Sequence, residues 1–213
     1  MINWINENHD AHVITIEDPI EYRHFSKKSI INQREVGTDT PDFAYGVRGA
    51  LRQDPDVILI GEMRDPETMD AAITAAETGH LVFATLHTMS AADTVNRIID
   101  AFPVNQQEQV RVVLSTSLRT IIAQSLIPRS DGRGRVAAFE ILHNVPAVKH
   151  LIRDRKVDHM RSVIQTSAKA GMMTMDDSLL NLYRRRLISG EECLMRAHDR
   201  TTLGQSLLST IEG

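Results

Sequence analysis

The chain has 213 residues, of which 42% are hydrophobic and 24% are charged, and this length and apolar content predict a folded protein with a substantial core. The formal net charge is −4, with both signs interspersed, which excludes a global basic field for nucleic acid or anionic lipid, so we expect no nucleic-acid partner. The single cysteine, Cys193, excludes an intramolecular disulfide framework and a cysteine-rich zinc site.

The sequence contains no segment typical of membrane insertion. Apolar runs such as Val57 to Ile60 are far shorter than the roughly 20 residues that span a bilayer. The N-terminal residues lack the basic start and long apolar stretch of a signal peptide. We therefore expect a cytoplasmic protein that reaches the inner membrane only through a partner.

The first part of the chain alternates helix and strand patterns. The patterns predict, in chain order, a helix ending near Asn8, a strand at 13–16, a helix at 43–52, a strand at 57–60, a helix at 66–77 and a strand at 81–84. After Glu17, Asp18 and Pro19, a polar loop is predicted to lead to Ile30 and Ile31. Short, wholly apolar strands between helices are typical of a parallel sheet covered on both faces, so the predicted fold class is α/β.

The character of the chain changes after the predicted strands. Helices are predicted at 90–99 and 106–126, and a turn at 130–134 leads to a strand at 136–142. From Pro146 onward the apolar residues recur at helical spacing. We expect a core domain over residues 1–143 and a small helical domain over 144–213, with no linker to mark the boundary.

Two adjacent carboxylates follow the first predicted strand. Glu17 and Asp18 lie where the strand ends, and ligands of open α/β sheets bind at the carboxyl ends of strands. A carboxylate there can hold Mg²⁺ or its waters, as triphosphate chemistry requires. A plain polar turn after a strand is an equally weighted interpretation of this segment alone.

The second predicted strand leads directly into Gly61 and Glu62. An apolar strand followed by an acidic residue is typical of a Walker B segment, in which Glu62 can polarise the attacking water and Arg64 can steady local charge. Acidic residues after a strand also occur simply as a solvated loop.

Two histidines bracket the third predicted strand. His87 follows its carboxyl end, on the edge of Glu17 and Glu62 if the strands are parallel, and a neutral imidazole there can contact a γ-phosphate. His80 precedes the strand. Taken singly, each histidine is more simply interpreted as a structural, hydrogen-bonded residue.

The three segments together resemble the Asp box, Walker B box and His box of the secretion-superfamily ATPases that drive type IV pili and type II secretion. The resemblance runs from about residue 1 to about residue 200 and implies a partial RecA-like core that uses ATP with Mg²⁺. It implies that Glu62 and Glu17 are catalytic carboxylates and that Mg²⁺ is held through Glu17 or Asp18. Arg64, His80 and His87 are implied to lie near the nucleotide.

Two features resemble the retraction, or PilT-type, branch of that superfamily. Residues 91–134 contain no cysteine, whereas assembly and secretion ATPases usually carry a four-cysteine zinc motif there. The segment Ala-Val-Lys-His-Leu-Ile-Arg-Asp at 147–154 is similar to the branch's retraction motif Ala-Ile-Arg-Asn-Leu-Ile-Arg-Glu. The residues carried over to that motif are Ala147, Leu151, Ile152 and Arg153. Without the upstream boxes, an amphipathic helix with a basic face is the preferred interpretation.

The sequence departs from the family in its phosphate-binding loop. None of the eleven glycines is followed by lysine, so the pattern Gly-x-x-x-x-Gly-Lys-Ser/Thr is absent from this sequence. Residues 1–8 resemble the end of the helix that follows this loop in the family. We therefore expect the sequence to begin downstream of its phosphate site.

Three interpretations of function follow. The favoured one is a part of a hexameric retraction ATPase whose partners are ATP, further copies, other pilus ATPases and the inner-membrane pilus platform protein. The second is a short, hydrolysis-deficient protein that binds pilus ATPases or the platform. The third is a RecA-like nucleic-acid motor, against which the low basic charge and the His box argue.

Overall fold

A four-stranded parallel sheet organises the first part of the chain. The computed structural model describes residues 1–211, with the side chains of 1–208, so the last two residues of the predicted C-terminal domain lie outside the described residues. The strands are β1 (His12–Glu17), β2 (Ile30–Glu35), β3 (Val57–Ile60) and β4 (Leu81–Ala84). Their order is β2-β1-β3-β4 and every neighbouring pair is parallel. The predicted α/β class with a mostly parallel sheet is confirmed.

Helices precede, connect and follow these strands in the chain. They are α1 (Ile2–Asn8), α2 (Phe43–Ala50), α3 (Pro66–Glu77), α4 (Ala91–Asp100) and α5 (Val104–Ser117). Asp65 caps α3 by accepting the Thr68 N–H at 2.7 Å, and Pro66 occupies the first helical position, where no N–H is needed. These local signals explain why the predicted and observed bounds of α3 agree.

The strands bury apolar side chains on both faces of the sheet. The fully buried aliphatic residues of the two central strands are Val13, Ile14, Ile16, Ile58 and Ile60. A strand buried on both faces needs a continuous apolar run rather than an alternating one, as β1 and β3 have. Thr15 is the polar exception in β1, and it is also fully buried.

The chain divides into two compact units. The first comprises residues 1–87 and 98–118, and the second comprises 88–97 and 119–213. In the second unit, β5 (Thr120–Pro128) and β6 (Arg135–His143) pair as an antiparallel hairpin. The boundary predicted at residue 144 differs from this division, because β6 packs on a C-terminal helix and the hairpin therefore belongs with the second unit. The assignment of an ATPase core to 1–143 and a helical domain to 144–213 stays a prediction.

One local prediction was wrong. The helix predicted over 106–126 ends at Ser117, and Thr120–Pro128 is a strand in which Ile121, Ala123 and Ile127 are buried while alternate residues are more exposed. Apolar residues there also satisfy helical spacing, so the period of two was missed. No element was predicted for Ile30–Glu35, to which the predicted polar loop leads. This segment is an edge strand, and its polar composition reflects half-exposure.

The second unit continues as helices, of which the last three contribute with the hairpin to an apolar cluster. The helices are α6 (Pro146–Arg153), α7 (Met160–Thr166), α8 (Met175–Arg184), α9 (Gly190–Arg196) and α10 (Arg200–Ile211). The cluster includes Leu179, Leu203 and Cys193, and burial raises the pKa of the Cys193 thiol to about 11. Cys193 is therefore a protonated core residue at neutral pH. Across residues 1–211 no helix has the length and apolar character to cross a membrane.

A buried carboxylate ties the helices of this unit together. Asp176 lies 2.5 Å from the guanidinium of Arg161, and its oxygens accept the backbone N–H groups of His198 at 2.7 Å and Asp199 at 3.0 Å. The Asp176 side chain is only 12% exposed. Arg161 lies on α7, Asp176 lies on α8, and His198 and Asp199 directly precede α10. The Asp176 side chain therefore links three segments.

Candidate functional site

Glu17 ends β1 with one carboxylate oxygen held by two donors. Its Oε1 accepts the Thr15 hydroxyl at 2.6 Å and the Gln33 side-chain N–H at 3.0 Å. Thr15 is two residues earlier in the strand and therefore on the same face of the sheet. Within the described side chains, the second oxygen, Oε2, accepts no hydrogen bond. Glu17 is thus oriented with one oxygen fixed and one available to a ligand.

Gly61 brings the carboxyl ends of β1 and β3 close together. Its N–H donates to the Ile16 carbonyl at 2.7 Å, and a Cβ at this position would lie 3.2 Å from both the Glu17 Cα and the Ile16 carbonyl oxygen. A side chain at residue 61 would push the backbones apart, so glycine is required for close approach. The next residue, Glu62, is thereby placed at the edge where Glu17 ends.

Glu62 forms a three-residue charge cluster with Arg64 and His87. Its Oε1 lies 2.6 Å from Arg64 Nε and 2.9 Å from His87 Nε2. The Glu62 side chain is 17% exposed, whereas those of Arg64 and His87 are 75% and 83% exposed. The buried Oε1 has these close ion-pair contacts but no hydrogen bond of good geometry. A lone pair of the carboxylate is therefore unsatisfied.

The charges in this cluster shift the acidity of its members. The Arg64 guanidinium, with a smaller contribution from His87, holds the pKa of Glu62 below its ordinary value. Glu62 and, more weakly, Asp18 raise the pKa of Arg64. Glu62 is consequently ionised at neutral pH, and its low basicity suits the orientation of a polar ligand better than the abstraction of a proton.

Thr85 joins the loops that follow β3 and β4. Its hydroxyl donates to the Gly61 carbonyl, and its own carbonyl accepts the Met63 N–H at 3.1 Å. These two bonds fix the segment from which His87 reaches Glu62. Sequence reasoning assigned no role to Thr85, and the available signal was a threonine directly after an apolar strand.

Asp18 lies on the exposed turn that follows Glu17. It is near enough to Arg64 for its charge to raise the pKa of that side chain. The structure thus brings Glu17, Asp18, Glu62, Arg64 and His87 to one edge of the parallel sheet. All five were named from the sequence, and their catalytic roles stay predictions.

His80 lies at the amino ends of the strands, opposite to the edge that holds the other five residues. It precedes β4, and its Nδ1 is 2.9 Å from the Ala75 carbonyl and 3.1 Å from the Thr78 hydroxyl, at the end of α3. The geometry does not bring His80 to the other predicted site residues. Its contacts are those of a residue that closes a helix C-terminus, and a nucleotide-associated role stays an untested prediction.

The predicted retraction segment forms α6, and its four named residues do not share one surface. Ile152 is fully buried, together with Val148 one turn earlier. Leu151 is half-buried, while Ala147 and Arg153 are exposed. Ile152 therefore holds the helix in its unit, and the exposed residues are the ones free to contact a partner.

The donor set of the sheet edge fits Mg²⁺ held together with a phosphate ligand. Across the described residues there is no group of three or more His, Cys, Asp or Glu side chains that could hold a metal by themselves. Mg²⁺ is commonly bound through one or two carboxylates plus substrate phosphates rather than by an all-protein cage. The available Oε2 of Glu17 and the exposed carboxylate of Asp18 meet that requirement.

Comparison with known proteins agrees with this geometry. The family model for the type II/IV secretion system protein matches residues 1–207. This chain belongs to that family. The match includes the whole parallel sheet and the edge at which the five residues lie.

Named relatives within and around this family are close in sequence. The chain is 56% identical over 203 residues to a twitching motility protein of Neisseria gonorrhoeae, covering 95% of this chain and 54% of the relative. It is 52% identical over 197 residues to the type IV pilus retraction ATPase PilT of Pseudomonas aeruginosa, covering 92% of this chain and 57% of that protein. The chain therefore spans just over half the length of these relatives.

Solved structures give the same family assignment. A crystal structure of the pilus retraction motor PilT with bound ADP superposes with a TM-score of 0.88 at 52% identity, covering 96% of this chain and 58% of that one. The Legionella pneumophila ATPase DotB superposes with a TM-score of 0.81 at 30% identity, covering 91% of this chain and 54% of that one. The first is a pilus retraction motor and the second is an ATPase.

Proposed function

We propose that this chain provides the catalytic sheet edge of an ATPase that couples ATP hydrolysis to type IV pilus retraction. The observation that carries the proposal is the contact of the buried Glu62 carboxylate with Arg64 and His87, at the edge where Glu17 presents a free oxygen. Charged groups of both signs at the carboxyl ends of parallel strands suit a phosphate ligand and its metal.

Glu17 and Asp18 are the residues that hold Mg²⁺ in this proposal. When bound with ATP, the ion supplies neutralisation of the charge on the transferred phosphoryl group. Glu17 contributes the oxygen that Thr15 and Gln33 leave available, and its fixed orientation costs no rearrangement when the ligand arrives.

Glu62 orients the attacking water. Because its pKa is held below the ordinary value, it acts through its negative charge and its unsatisfied oxygen rather than as a strong base. Arg64 is largely exposed, so it can leave Glu62 and turn its guanidinium to a phosphate. His87 is exposed on the same side and supplies a further polar contact to the phosphate.

The wider setting of this activity is also part of the proposal. The names of the relatives support a role in pilus retraction and twitching motility. The proposed assembly is a homohexamer. We place the protein in the cytoplasm, peripheral at the inner membrane through the pilus platform protein and other pilus ATPases. The exposed Ala147 and Arg153 of α6 are the proposed contacts in that machinery.

One observation favours a second candidate function. The sequence has no glycine followed by lysine, so the described chain lacks the loop whose amides and lysine cradle phosphates in such ATPases. A gene product in which no other segment supplies this loop acts as a hydrolysis-deficient module that binds pilus ATPases or the platform, and this is the second candidate function.

Calorimetry and phosphate release together separate the two functions. Mg²⁺-ATP is titrated into the full-length gene product, with Glu62→Gln as the parallel sample and hydrolysis measured on both. Micromolar binding, with hydrolysis that Glu62→Gln abolishes, supports the ATPase. Absence of binding and of hydrolysis in the unmodified protein contradicts it and leaves the binding module.

A further inference from the structure

The Gln33 side chain occupies a central place beside Glu17. It extends from β2, directly opposite Thr15 in the parallel register, so its side chain and those of Thr15 and Glu17 lie on the same face of the sheet. Its Nε2 donates to Glu17 Oε1 at 3.0 Å and to the Tyr22 carbonyl at 2.9 Å. Its Oε1 accepts the His24 N–H at 2.7 Å.

These three hydrogen bonds determine which way the Gln33 amide points. The His24 N–H can only donate and the Tyr22 carbonyl can only accept, so the amide oxygen must face His24 and the nitrogen must face Tyr22. The second hydrogen of that nitrogen is then directed at Glu17. A carboxylate or an apolar side chain at residue 33 cannot make this combination of bonds.

Gln33 also connects Glu17 with the loop that follows it. Tyr22 and His24 lie in that loop, which starts at Asp18 and runs to the beginning of β2. The Ile20 N–H donates to Glu35 Oε2 at 3.0 Å, a second bond between the loop and β2. Edge strand β2 therefore holds both the Glu17 carboxylate and the segment that carries Asp18.

We propose that Gln33 is a positioning residue for the metal-binding carboxylates: by holding Glu17 Oε1 and the loop after it, Gln33 directs Glu17 Oε2 and Asp18 at Mg²⁺. This inference rests on the metal role given to Glu17 in the proposed function. Gln33 acts through Glu17 and touches neither the metal nor the nucleotide.

Thr15 also donates to Glu17 Oε1, but it constrains the carboxylate differently from Gln33. Its hydroxyl is fully buried within β1 and reaches only its own strand. Gln33 is half-buried and approaches from the neighbouring strand, so it limits the swing of the Glu17 side chain toward β2. Loss of Gln33 frees the carboxylate and the loop together, whereas Thr15 alone cannot hold the loop.

The test is metal binding rather than turnover. Mn²⁺ is titrated into the protein with inorganic phosphate present throughout, and broadening of the backbone amide signals of residues 17 and 18 is followed by nuclear magnetic resonance. Gln33→Met keeps the side-chain length and removes every hydrogen bond. The matched control is Asn32→Leu, since Asn32 is on the other face of β2, is exposed and contacts His12. Glu17→Gln and the double variant Glu17→Gln/Gln33→Met complete the set.

We expect Gln33→Met to raise the Mn²⁺ concentration for half-maximal broadening about 10-fold, as loss of partners behind metal ligands commonly does. Asn32→Leu leaves that concentration unchanged. In the Glu17→Gln background, Gln33→Met has little further effect, because the residue through which it acts is already altered.

Three results overturn the inference. If Gln33→Met and Asn32→Leu raise the Mn²⁺ concentration for half-maximal broadening equally, the cause is lower stability of β2. If Gln33→Met raises it equally in the unmodified and the Glu17→Gln backgrounds, the cause is a general loss of structure. If Glu17→Gln leaves Mn²⁺ binding unaltered, Glu17 does not hold the metal and Gln33 cannot act through it. Failure of the proposed function is separate, since it is judged by hydrolysis in Glu62→Gln.

Discussion

Glu62 Oε1 and His87 Nε2 lie 2.9 Å apart, although the two residues follow different strands of the sheet. The contact exists because β3 and β4 are adjacent and parallel, and because Thr85 joins the loops after them. In the proposed mechanism, Glu62 orients the attacking water and His87 contacts the phosphate. Their contact therefore connects the two tasks.

The first prediction concerns Glu62 itself. Glu62→Gln keeps the shape of the side chain but removes the charge, so we expect hydrolysis by the full-length gene product to fall by about 100-fold or more. Phosphate release measures this loss. Glu67→Gln, on the exposed first turn of α3, is the matched control and retains activity. A similar loss in both variants would contradict a specific role for Glu62.

The second prediction is a pH dependence of stability that depends on Arg64. The pKa of Glu62 in the folded protein is below its ordinary 4.5, so the stabilising contribution is fully present above about 4.5 and is lost as pH falls through the lower, folded value. Arg64→Met removes the main cause of the shift. Thermal unfolding at a series of pH values should show the two proteins differing most near neutrality and converging in acid. A difference that grows as pH falls would refute this assignment.

The third prediction concerns the close approach at Gly61. In Gly61→Ala, the new Cβ meets backbone atoms of Ile16 and Glu17 at 3.2 Å, and backbone cannot yield as a flexible side chain does. We expect the free energy of unfolding to fall by about 1–3 kcal/mol, as for overpacked sites. Chemical denaturation measures this change.

Gly49→Ala is the control for this substitution. Gly49 lies within α2, and its Cβ would meet only the end of the Arg34 side chain, at 3.7 Å. Since alanine is the better helix former, the control should gain about 0.5–1 kcal/mol. Destabilisation of equal size in both variants would show that the contact at Gly61 is not the cause.

The fourth prediction concerns the buried carboxylate of the second unit. Asp176→Ala leaves Arg161 without its ion-pair partner and leaves the N–H groups of His198 and Asp199 unsatisfied. Loss of the partner of buried N–H groups and of a partly exposed guanidinium costs about 1–3 kcal/mol. Denaturation of Asp176→Ala is compared with that of Asp158→Ala, an exposed position that should change little. Equal stabilities would exclude Asp176 as a link between helices.

Features encoded by nearby residues were predictable from the sequence. Asp65 and Pro66 fixed the start of α3, and the apolar runs of β1 and β3 placed Glu17 and Glu62 at one edge. Features that depend on distant partners were not predictable. The polar strand β2 is a strand only because β1 pairs with it. The hydrogen bond from Gln33 to Glu17 also exists only because these two strands pair.

The same distinction applies to two further features. The bonds of Thr85 to Gly61 and Met63 join two loops whose adjacency follows from strand order alone. The hairpin of β5 and β6 belongs with the second unit because β6 packs on α8, a contact between segments far apart in the sequence. Local periodicity contains none of this information.

Strand order also has a consequence during protein synthesis. β4 is an edge strand, follows β1 and β3 in the chain, and leads to His87. A nascent chain released from the ribosome N-terminus first therefore displays Glu17 and then Glu62 before the segment that completes their surroundings has been translated. The contact between Glu62 and His87 joins residues far apart in the sequence, so it has no local precursor and waits for the closure of a long loop. The proposed site is thus incomplete until translation has passed His87.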